Sequence, residues 1–408
     1  MTHQELVSEL KKLGVLSFRP GQESIVRAIL EGRDTLSIMP TGAGKSLCYQ
    51  LPAIMFQGIT IVVSPLIALM HDQVMSLCKK GIPAAYINST LTPAQMETAM
   101  RLAYNGAYKI IYVAPERLFT HAFRQFAATQ DISLLVVDEA HCVSQWGYAF
   151  RKAYQFIPWF VSTLKNRPII AAFTATATEE IQKDITTMLQ LNAPVVTVSG
   201  FDRPNLYFDV KQPKDKMDWL KQYVKANGDK CGLIYCRYRK TTAAIAEMLS
   251  EEGIDAAHYH AGLEPDERRK VLDDFLSGKY QVIASTTAFG MGIDKPDIRY
   301  VVHFDMPLSL EDYYQQAGRA GRDGLPAECV LLYCKNDMSK NKRLIAESYA
   351  QADGRIRPNL RYRDRHRLKM MQNYALCETC LRNELLGYFG EMPKSSNCGN
   401  CGKCSSKN

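Results

Sequence analysis

The sequence predicts an α/β protein in which two tandem domains, each built on a parallel β-sheet, are followed by a small, mainly helical domain rich in cysteine. Short apolar runs alternate with helical stretches along most of the chain, which is typical of crossover units in a sheet covered on both faces. The pattern breaks at residues 199–205 and then starts again, so a second sheet is expected. We place the three domains at residues 1–204, 205–337 and 338–408.

The N-terminal region predicts helices, and the apolar runs after it predict strands. Leu6, Leu10 and Leu13 recur at helical spacing, and a second helix is expected at 23–30. The predicted strands are 36–39, 59–63, 84–87, 109–113, 134–137, 169–173 and 195–198 in the first domain and 232–236, 256–259, 281–284, 300–304 and 329–332 in the second.

Length and composition indicate a soluble protein of several domains. At 408 residues the chain is too long for a single hydrophobic core. The N-terminus has no signal-peptide pattern, and no apolar run approaches the length that spans a membrane. We expect a cytoplasmic protein without membrane contact, associated with the nucleoid if the source is bacterial.

The segment between the first predicted strand and a helix expected at 47–54 has the composition of a phosphate-binding loop, Pro40-Thr41-Gly42-Ala43-Gly44-Lys45-Ser46. In such a loop backbone N–H groups surround a triphosphate, the lysine reaches the outer phosphates and the hydroxyl holds Mg²⁺. The general pattern has glycine where this chain has Met39. Taken alone, the segment therefore leaves an ordinary glycine-rich turn open as the alternative.

Two adjacent carboxylates follow the strand predicted at 134–137. We expect Asp138 to bind Mg²⁺ and Glu139 to activate the attacking water, because these are the roles of such acids beside a bound triphosphate. Two carboxylates that only cap a helix are the alternative. The combination with Lys45 and Ser46 favours hydrolysis of a nucleoside triphosphate.

The second domain contains two arginines three residues apart, Arg319 and Arg322, which can lie on one helical face. Guanidinium groups there suit the charge that develops on a transferred phosphoryl group. Upstream, residues 288–294 form a glycine-rich loop after a predicted strand, as expected for backbone that approaches a ligand closely. This pattern predicts that ATP binds between the two domains and that its hydrolysis changes their separation.

The order of these motifs resembles that of a superfamily 2 helicase of the RecQ family, and the resemblance covers essentially the whole chain. It is carried by residues 18–22, 41–46, 138–147, 174–176, 289–294 and 315–322. It implies RecA-like domains and a 3′ to 5′ DNA helicase that uses ATP and Mg²⁺. The nucleotide-binding residues implied by motif position are Arg19, Gln22, Gly290, Gly292 and Asp294, with Gln22 reading adenine. His141 and Gln315 are implied to couple hydrolysis to motion, with Arg322 as the leading arginine finger and Arg319 assisting.

Loops at the carboxyl ends of the predicted strands are the expected contacts with single-stranded DNA, because small hydroxyl residues and backbone N–H groups suit phosphates. Individually, each such loop is more often a simple turn or a helix cap. The candidates in the first domain are Ser64, Pro65, Pro115 and Thr174, and the resemblance adds His260 and Thr286 in the second.

An aromatic loop follows the acidic pair. Trp146, Phe150 and Arg151 offer stacking faces for unpaired bases next to the hydrolysis site, although Phe150 is equally compatible with a place in the core. The chain has Tyr148-Ala149 and Lys152-Ala153 where RecQ proteins usually have His-Asp and Pro-Glu. We therefore expect DNA to stimulate the ATPase more weakly or by a different route.

The excess positive charge lies at the C-terminal end. Residues 338–408 carry 14 basic and 6 acidic side chains, which accounts for the whole formal charge of +8. Leu360, Leu368, Met371 and Tyr374 can form the apolar face of a helix. That helix would leave outward many of the basic residues Arg355, Arg357, Arg361, Arg363, Arg365, Arg367 and Lys369. A phosphate contact near duplex DNA is favoured over a solvated helix face.

The cysteine cluster near the C-terminus predicts a structural zinc ion, but two ligand sets are possible. General spacing rules pair Cys377 and Cys380 with Cys398 and Cys401. The RecQ resemblance instead implies Cys380, Cys398, Cys401 and Cys404, and we adopt that set. The remaining cysteines are most simply buried thiols of a reducing compartment.

The expected partners are single-stranded DNA and tailed or forked duplexes, bound by a monomer. RecQ proteins commonly continue into a winged helix that splits the duplex, whereas this sequence ends at Asn408, so a natural short form and a truncated chain are both open. The alternatives to a helicase are a DNA-stimulated translocase with little unwinding, an RNA helicase, and a nucleotide-switched nucleic-acid clamp.

Overall fold

Parallel strands buried on both faces form the centre of each of two compact units, Met1–Gly200 and Phe201–Asn408. The computed structural model describes residues 2–144, 151–289, 295–351, 358–393 and 395–405. Among these residues, no helix is long and apolar enough to cross a membrane.

The first unit contains a seven-stranded sheet in the order β3-β4-β2-β5-β6-β1-β7, in which every neighbouring pair is parallel. Its elements are α1 (His3–Lys12), α2 (Gln22–Leu30), β1 (Thr35–Ile38), α3 (Lys45–Met55), β2 (Ile59–Val63), α4 (Ile67–Lys79), β3 (Ala84–Ile87), α5 (Pro93–Tyr104), β4 (Ile110–Val113), α6 (His121–Thr129), β5 (Ile132–Val137), α7 (Ile157–Ser162), β6 (Ile169–Thr174), α8 (Glu179–Met188) and β7 (Val195–Val198). Each predicted strand of this unit is present, with ends that differ by at most two residues.

The second unit contains a six-stranded parallel sheet in the order β10-β11-β9-β12-β13-β8. Its elements are β8 (Leu206–Lys211), α9 (Lys216–Ala226), β9 (Gly232–Tyr235), α10 (Arg239–Glu251), β10 (Ala256–Tyr259), α11 (Pro265–Leu276), β11 (Val282–Ser285), β12 (Tyr300–His303), α12 (Leu310–Ala317), β13 (Ala327–Leu332), α13 (Lys335–Gln351), α14 (Pro358–Leu376), α15 (Leu381–Tyr388) and α16 (Gly402–Ser405). The sequence did not predict edge strand β8, where Asp209 and Lys211 interrupt the apolar run.

The C-terminal helices of this unit include the predicted amphipathic helix, α14. Leu368, Met371 and Tyr374 are buried, whereas Lys369 is exposed. Arg367 is not one of the outward basic residues, because it is buried and its guanidinium lies 3.4 Å from the Glu311 carboxylate. The predicted architecture, two parallel-sheet domains followed by a helical region with a cysteine cluster, is confirmed.

Candidate active site and metal centre

Glycines allow the loop between β1 and α3 to fold against the end of the sheet. Gly42 and Gly44 have φ near +81°, a left-handed conformation that residues with a Cβ rarely adopt. A Cβ on Gly44 would also lie 2.5 Å from Nε2 of Gln22. Lys45 occupies the first turn of α3 and its Nζ donates to the Met39 carbonyl at 3.3 Å. Backbone N–H groups at the start of this helix, together with Lys45, suit a phosphate.

Gln22 and Arg19 hold this loop from outside. Nε2 of Gln22 donates to the carbonyls of Ala43 at 3.0 Å and Gly44 at 3.1 Å, and its Oε1 accepts from the Arg19 backbone at 2.7 Å. The Arg19 guanidinium donates to the Gly42 carbonyl. Because all of these bonds go to backbone atoms, Gln22 acts in this structure as a support for the loop. That it reads adenine stays a prediction.

The two carboxylates lie where β5 ends. The phosphate loop, residues 40–46, follows β1 of the same sheet. Asp138 is buried, and Ser64 Oγ donates to its Oδ2 at 3.4 Å. Burial and the Glu139 charge raise the pKa of Asp138 to about 7, and the Lys45 ammonium opposes that rise. A buried carboxyl that resists ionisation without a cation fits a Mg²⁺ ligand. The side chains available for Mg²⁺ are thus Asp138 and Ser46, whose hydroxyl also hydrogen-bonds Tyr49.

Glu139 has a backbone conformation that is unusual for its residue type. Its φ of 48° and ψ of 47° lie in the left-handed region. This conformation costs on the order of 1–3 kcal/mol in a residue with a side chain and is concentrated at functional sites. The turn sends the Glu139 carboxylate toward buried His141, whose Nδ1 lies 3.4 Å from Oε2.

His141 joins the acidic pair to the loop after β6. Its Nδ1 lies 2.8 Å from Oγ1 of Thr174. The Thr174 hydroxyl oxygen in turn lies 3.3 Å from both the backbone N and the carbonyl O of Thr176. Thr174 and Glu139 therefore both contact the same imidazole nitrogen.

The other candidate DNA contacts differ in exposure. Ser64, Pro65, Pro115 and Thr174 are buried, and the hydroxyls of Ser64 and Thr174 face Asp138 and His141 respectively. Arg151, His260 and Thr286 are half-buried. Trp146 and Phe150 lie outside the described residues. DNA contact at all of these positions stays a prediction.

In the second unit, Arg319 and Arg322 lie in a turn beyond the end of α12. The prediction that they share a helical face is wrong, because α12 ends at Ala317 and residues 318–323 form turns. Gly321 has φ of 54°, and a Cβ there would lie 2.5 Å from Nδ2 of Asn205. Arg319 is buried next to Tyr235, and Gln315 is buried on α12 itself. Gly290, Gly292 and Asp294 lie outside the described residues.

One residue that sequence reasoning missed holds this arginine turn. Arg203 donates from Nη1 to the carbonyl of Gly318 at 3.3 Å and from Nη2 to those of Ala320 at 3.1 Å and Gly321 at 2.8 Å. In the sequence, this arginine lies within residues 199–205, where the strand pattern breaks. The break predicted a domain boundary and no role for the arginine.

Four cysteines converge at the C-terminal end of the second unit. The Sγ atoms of Cys380, Cys398, Cys401 and Cys404 all lie within 4.8 Å of one another. Cys398 and Cys404 are 4.0 Å apart, and Cys380 and Cys401 are 3.9 Å apart. Tetrahedral zinc with Zn–S bonds of about 2.3 Å places its sulfurs about 3.8 Å apart. Cys377 is described but does not belong to this group of four, and its thiol donates weakly to the Thr379 carbonyl.

The surroundings of these sulfurs favour the thiolate at Cys401, whereas burial raises the pKa of Cys398 to about 12 and also raises that of Cys404. The Asn400 backbone N–H donates to Cys398 Sγ at 3.4 Å. Burial alone raises the pKa of the Cys401 thiol, but hydrogen bonds from Cys404 and from the backbone of Leu381 and Lys403 lower it to about 7. The site therefore fits a closed, structural zinc ion.

Cysteine substitutions test which thiols bind the metal. Purified Cys404→Ser protein is expected to lose zinc, since a closed site needs four ligands. Cys377→Ser is expected to keep about one zinc per chain, as measured by elemental analysis. Loss of zinc from Cys377→Ser with retention in Cys404→Ser would favour the pairing of Cys377 and Cys380 with Cys398 and Cys401.

Three family models match successive parts of the chain. Residues 19–184 match the model described as DEAD/DEAH box helicase, residues 215–324 match the helicase conserved C-terminal domain, and residues 335–405 match the RecQ zinc-binding model. Together they cover the four-cysteine centre and the strands of both parallel sheets apart from β7, β8 and β13.

Curated relatives named RecQ match nearly the whole chain, and solved helicase structures share its fold. An ATP-dependent DNA helicase RecQ of Bacillus subtilis is 43% identical over 392 residues, which cover 96% of this chain and 65% of the relative. One of Haemophilus influenzae is 41% identical, covering 98% of this chain and 63% of the relative. The chain thus spans under two thirds of these relatives. The crystal structure of the DUF1998 helicase MrfA bound to DNA and AMPPNP matches with a TM-score of 0.69 at 18% identity, over 95% of this chain and 58% of that one, and shows the fold alone.

Proposed function

Because the chain belongs to the RecQ family of helicases, we propose that it is an ATP-dependent DNA helicase that moves 3′ to 5′ along single-stranded DNA and unwinds duplexes. The observation that carries this proposal is the arrangement along one sheet edge. The phosphate loop, the acidic pair and residues 174–176 follow three strands of the same sheet, and Lys45 lies close enough to influence Asp138.

Each residue of this edge has a role in the proposed hydrolysis. The phosphates bind the start of α3, and Lys45 reaches the outer ones, while Gln22 and Arg19 keep the loop in shape. Ser46 and Asp138 would hold Mg²⁺, which would neutralise charge on the phosphate oxygens. Glu139 accepts a proton from the attacking water, and His141 orients the Glu139 carboxylate.

Coupling to DNA is assigned to the path from Glu139 through His141 to Thr174. A nucleic-acid phosphate bound at residues 174–176 would change the position of the Thr174 hydroxyl and so that of His141. Gln315 also takes part in this coupling, and Arg319 and Arg322 stabilise charge on the transferred phosphoryl group. The proposed partners of the protein are single-stranded DNA and tailed or forked duplexes. We propose that the protein acts in the cytoplasm as a monomer.

A strand-displacement assay tests this function. With ATP and Mg²⁺, the wild-type protein is expected to release the labelled strand from 3′-tailed and forked duplexes but not from a 5′-tailed duplex. Lys45→Ala serves as the control and is expected to release none. Release from the 5′-tailed duplex alone would overturn the polarity. DNA-stimulated hydrolysis with no release from any duplex would indicate a translocase, and greater stimulation by RNA than by DNA would indicate an RNA helicase.

A further inference from the structure

We infer that Arg203 is a positioning residue for ATP hydrolysis and that Arg382 connects it to the four-cysteine centre, so that the metal-binding segment sets the geometry of the arginine turn, residues 318–322. The inference rests on the proposed function in one respect, since it takes Arg319 and Arg322 to act on the transferred phosphoryl group. All of its contacts lie within the second unit.

Arg203 fixes the backbone of the arginine turn. One planar guanidinium donates to three carbonyls of that turn, those of Gly318, Ala320 and Gly321. These carbonyls flank Arg319 and immediately precede Arg322 in the chain. Asn205 adds a second bond to Gly321 at 2.9 Å and one to Leu325 at 2.8 Å. A lysine could not reproduce this arrangement, because its ammonium is a compact point charge without the fork of the guanidinium.

Arg382 holds the backbone that carries Arg203. Its Nη1 donates to Oδ1 of Asp202 at 2.6 Å and to the carbonyl of Arg203 at 2.8 Å, and its Nη2 donates to the carbonyl of Leu206. Arg382 is buried in the first turn of α15, and Cys380 is the residue that precedes this helix. The guanidinium of Arg382, two residues after Cys380 in the chain, thus holds the backbone at Arg203.

Residues 400–402 of the metal-binding segment contact residues 204–209 as well. Asn400 Nδ2 donates to the carbonyl of Pro204 at 2.9 Å. Cys401 forms a parallel bridge with Phe208 of edge strand β8. Gly402 lies so close that a Cβ there would be 2.0 Å from the Asp209 carboxylate. Residues 202–209 are therefore held by the cysteine-bearing segment on both sides of Arg203.

A purely structural role is the competing explanation, since every one of these bonds also stabilises the folded unit. The two roles predict different kinetics. A support that only maintains the fold changes the melting temperature and leaves turnover per folded molecule unchanged. A positioning residue changes kcat at nearly constant KM, because misplacing a group near the reacting phosphate by about 1 Å can cost on the order of 10²-fold in rate.

The test measures ATP hydrolysis at saturating single-stranded DNA in the full chain. Arg203→Lys is expected to lower kcat by about 10- to 100-fold with KM for ATP within about threefold of wild type. The matched control is Arg167→Lys, since Arg167 also forms a two-pronged contact, with the Asp34 carboxylate of the first unit. It is expected to lower the melting temperature with kcat within about twofold. Equal kcat values for Arg203→Lys and wild type would overturn the inference.

A double substitution separates positioning from stability. In an Arg319→Ala, Arg322→Ala background, adding Arg203→Lys is expected to lower kcat no further, because the groups that it positions are gone. A further loss as large as in the wild-type background would overturn the inference. If Arg319→Ala and Arg322→Ala each keep wild-type kcat, their role in the proposed function fails and the inference fails with it. If they lose activity while Arg203→Lys does not, only the inference fails.

Arg382→Lys extends the test to the metal and covers the case in which Arg203→Lys does not fold. It is expected to keep about one zinc per chain, measured by elemental analysis, and to lower kcat by about 3- to 10-fold at unchanged KM. Loss of kcat together with loss of zinc would assign the effect to the metal site itself and overturn the role of Arg382 as the connection. Retention of both zinc and kcat would overturn it as well.

Discussion

Replacing Glu139 by glutamine is expected to lower kcat for ATP hydrolysis by about 10²- to 10⁴-fold and to leave ATP binding close to wild type. Glutamine has nearly the same shape and cannot accept the proton of the attacking water. Asp138, Ser46 and Lys45 would remain to bind Mg²⁺ and the phosphates. The measurement is a single-turnover hydrolysis rate beside equilibrium binding of a fluorescent ATP analogue.

Lys45→Ala is the matched comparison, because it removes a phosphate ligand rather than the proton acceptor. It is expected to weaken nucleotide binding as well as hydrolysis. Glu139→Gln protein that hydrolyses ATP at more than about a tenth of the wild-type rate would show that another group accepts the proton. His141 would then be the first residue to substitute, since it lies 3.4 Å from Glu139 and 2.8 Å from Thr174.

The central strands of the parallel sheets were predictable because they are buried on both faces and therefore form continuous apolar runs. β2, β3 and β7 begin and end at the residues predicted, since turn residues border each run. β8 was missed for the opposite reason. It is an edge strand that carries Asp209 and Lys211, and it is held in place by β13 and by Cys401 far along the chain.

The candidate site shows the same division between local and distant information. Lys45, Asp138 and Thr174 follow or end strands of one parallel sheet, so their convergence on one edge could be inferred from the sequence. Arg203 and Arg382 could not be recognised in this way. Their partners are backbone carbonyls that the fold brings together from positions more than a hundred residues away, and a carbonyl leaves no signal in the sequence.

The helix boundary at Ala317 is a third case. Residues 315–322 have a spacing that permits a helix, but Gly318 and Gly321 allow the chain to leave it, and Arg203 and Asn205 supply bonds to the carbonyls that the turn exposes. The turn is therefore favoured locally by its two glycines and stabilised by tertiary contacts.

Arg322→Ala is expected to lower kcat for DNA-stimulated ATP hydrolysis by about 10³- to 10⁵-fold, the range typical of an arginine that stabilises charge on a transferred phosphoryl group. Arg319→Ala is expected to have a smaller effect on kcat and a larger one on stability, because Arg319 is buried next to Tyr235. Steady-state kinetics at saturating DNA, with the melting temperature of each variant, measure both quantities.

The buried guanidinium of Arg319 is also expected to make nucleotide binding stabilise the protein. Among the described residues, its Nε has no hydrogen-bond partner, and an unpaired buried N–H costs on the order of 1–3 kcal/mol. A phosphate oxygen would remove that cost, so nucleotide should raise the melting temperature more in wild type than in Arg319→Ala. Arg269→Ala, on the exposed face of α11, controls for the loss of an arginine and should leave both kcat and the nucleotide-induced shift unchanged. Equal shifts in wild type and Arg319→Ala would mean that this guanidinium meets no phosphate.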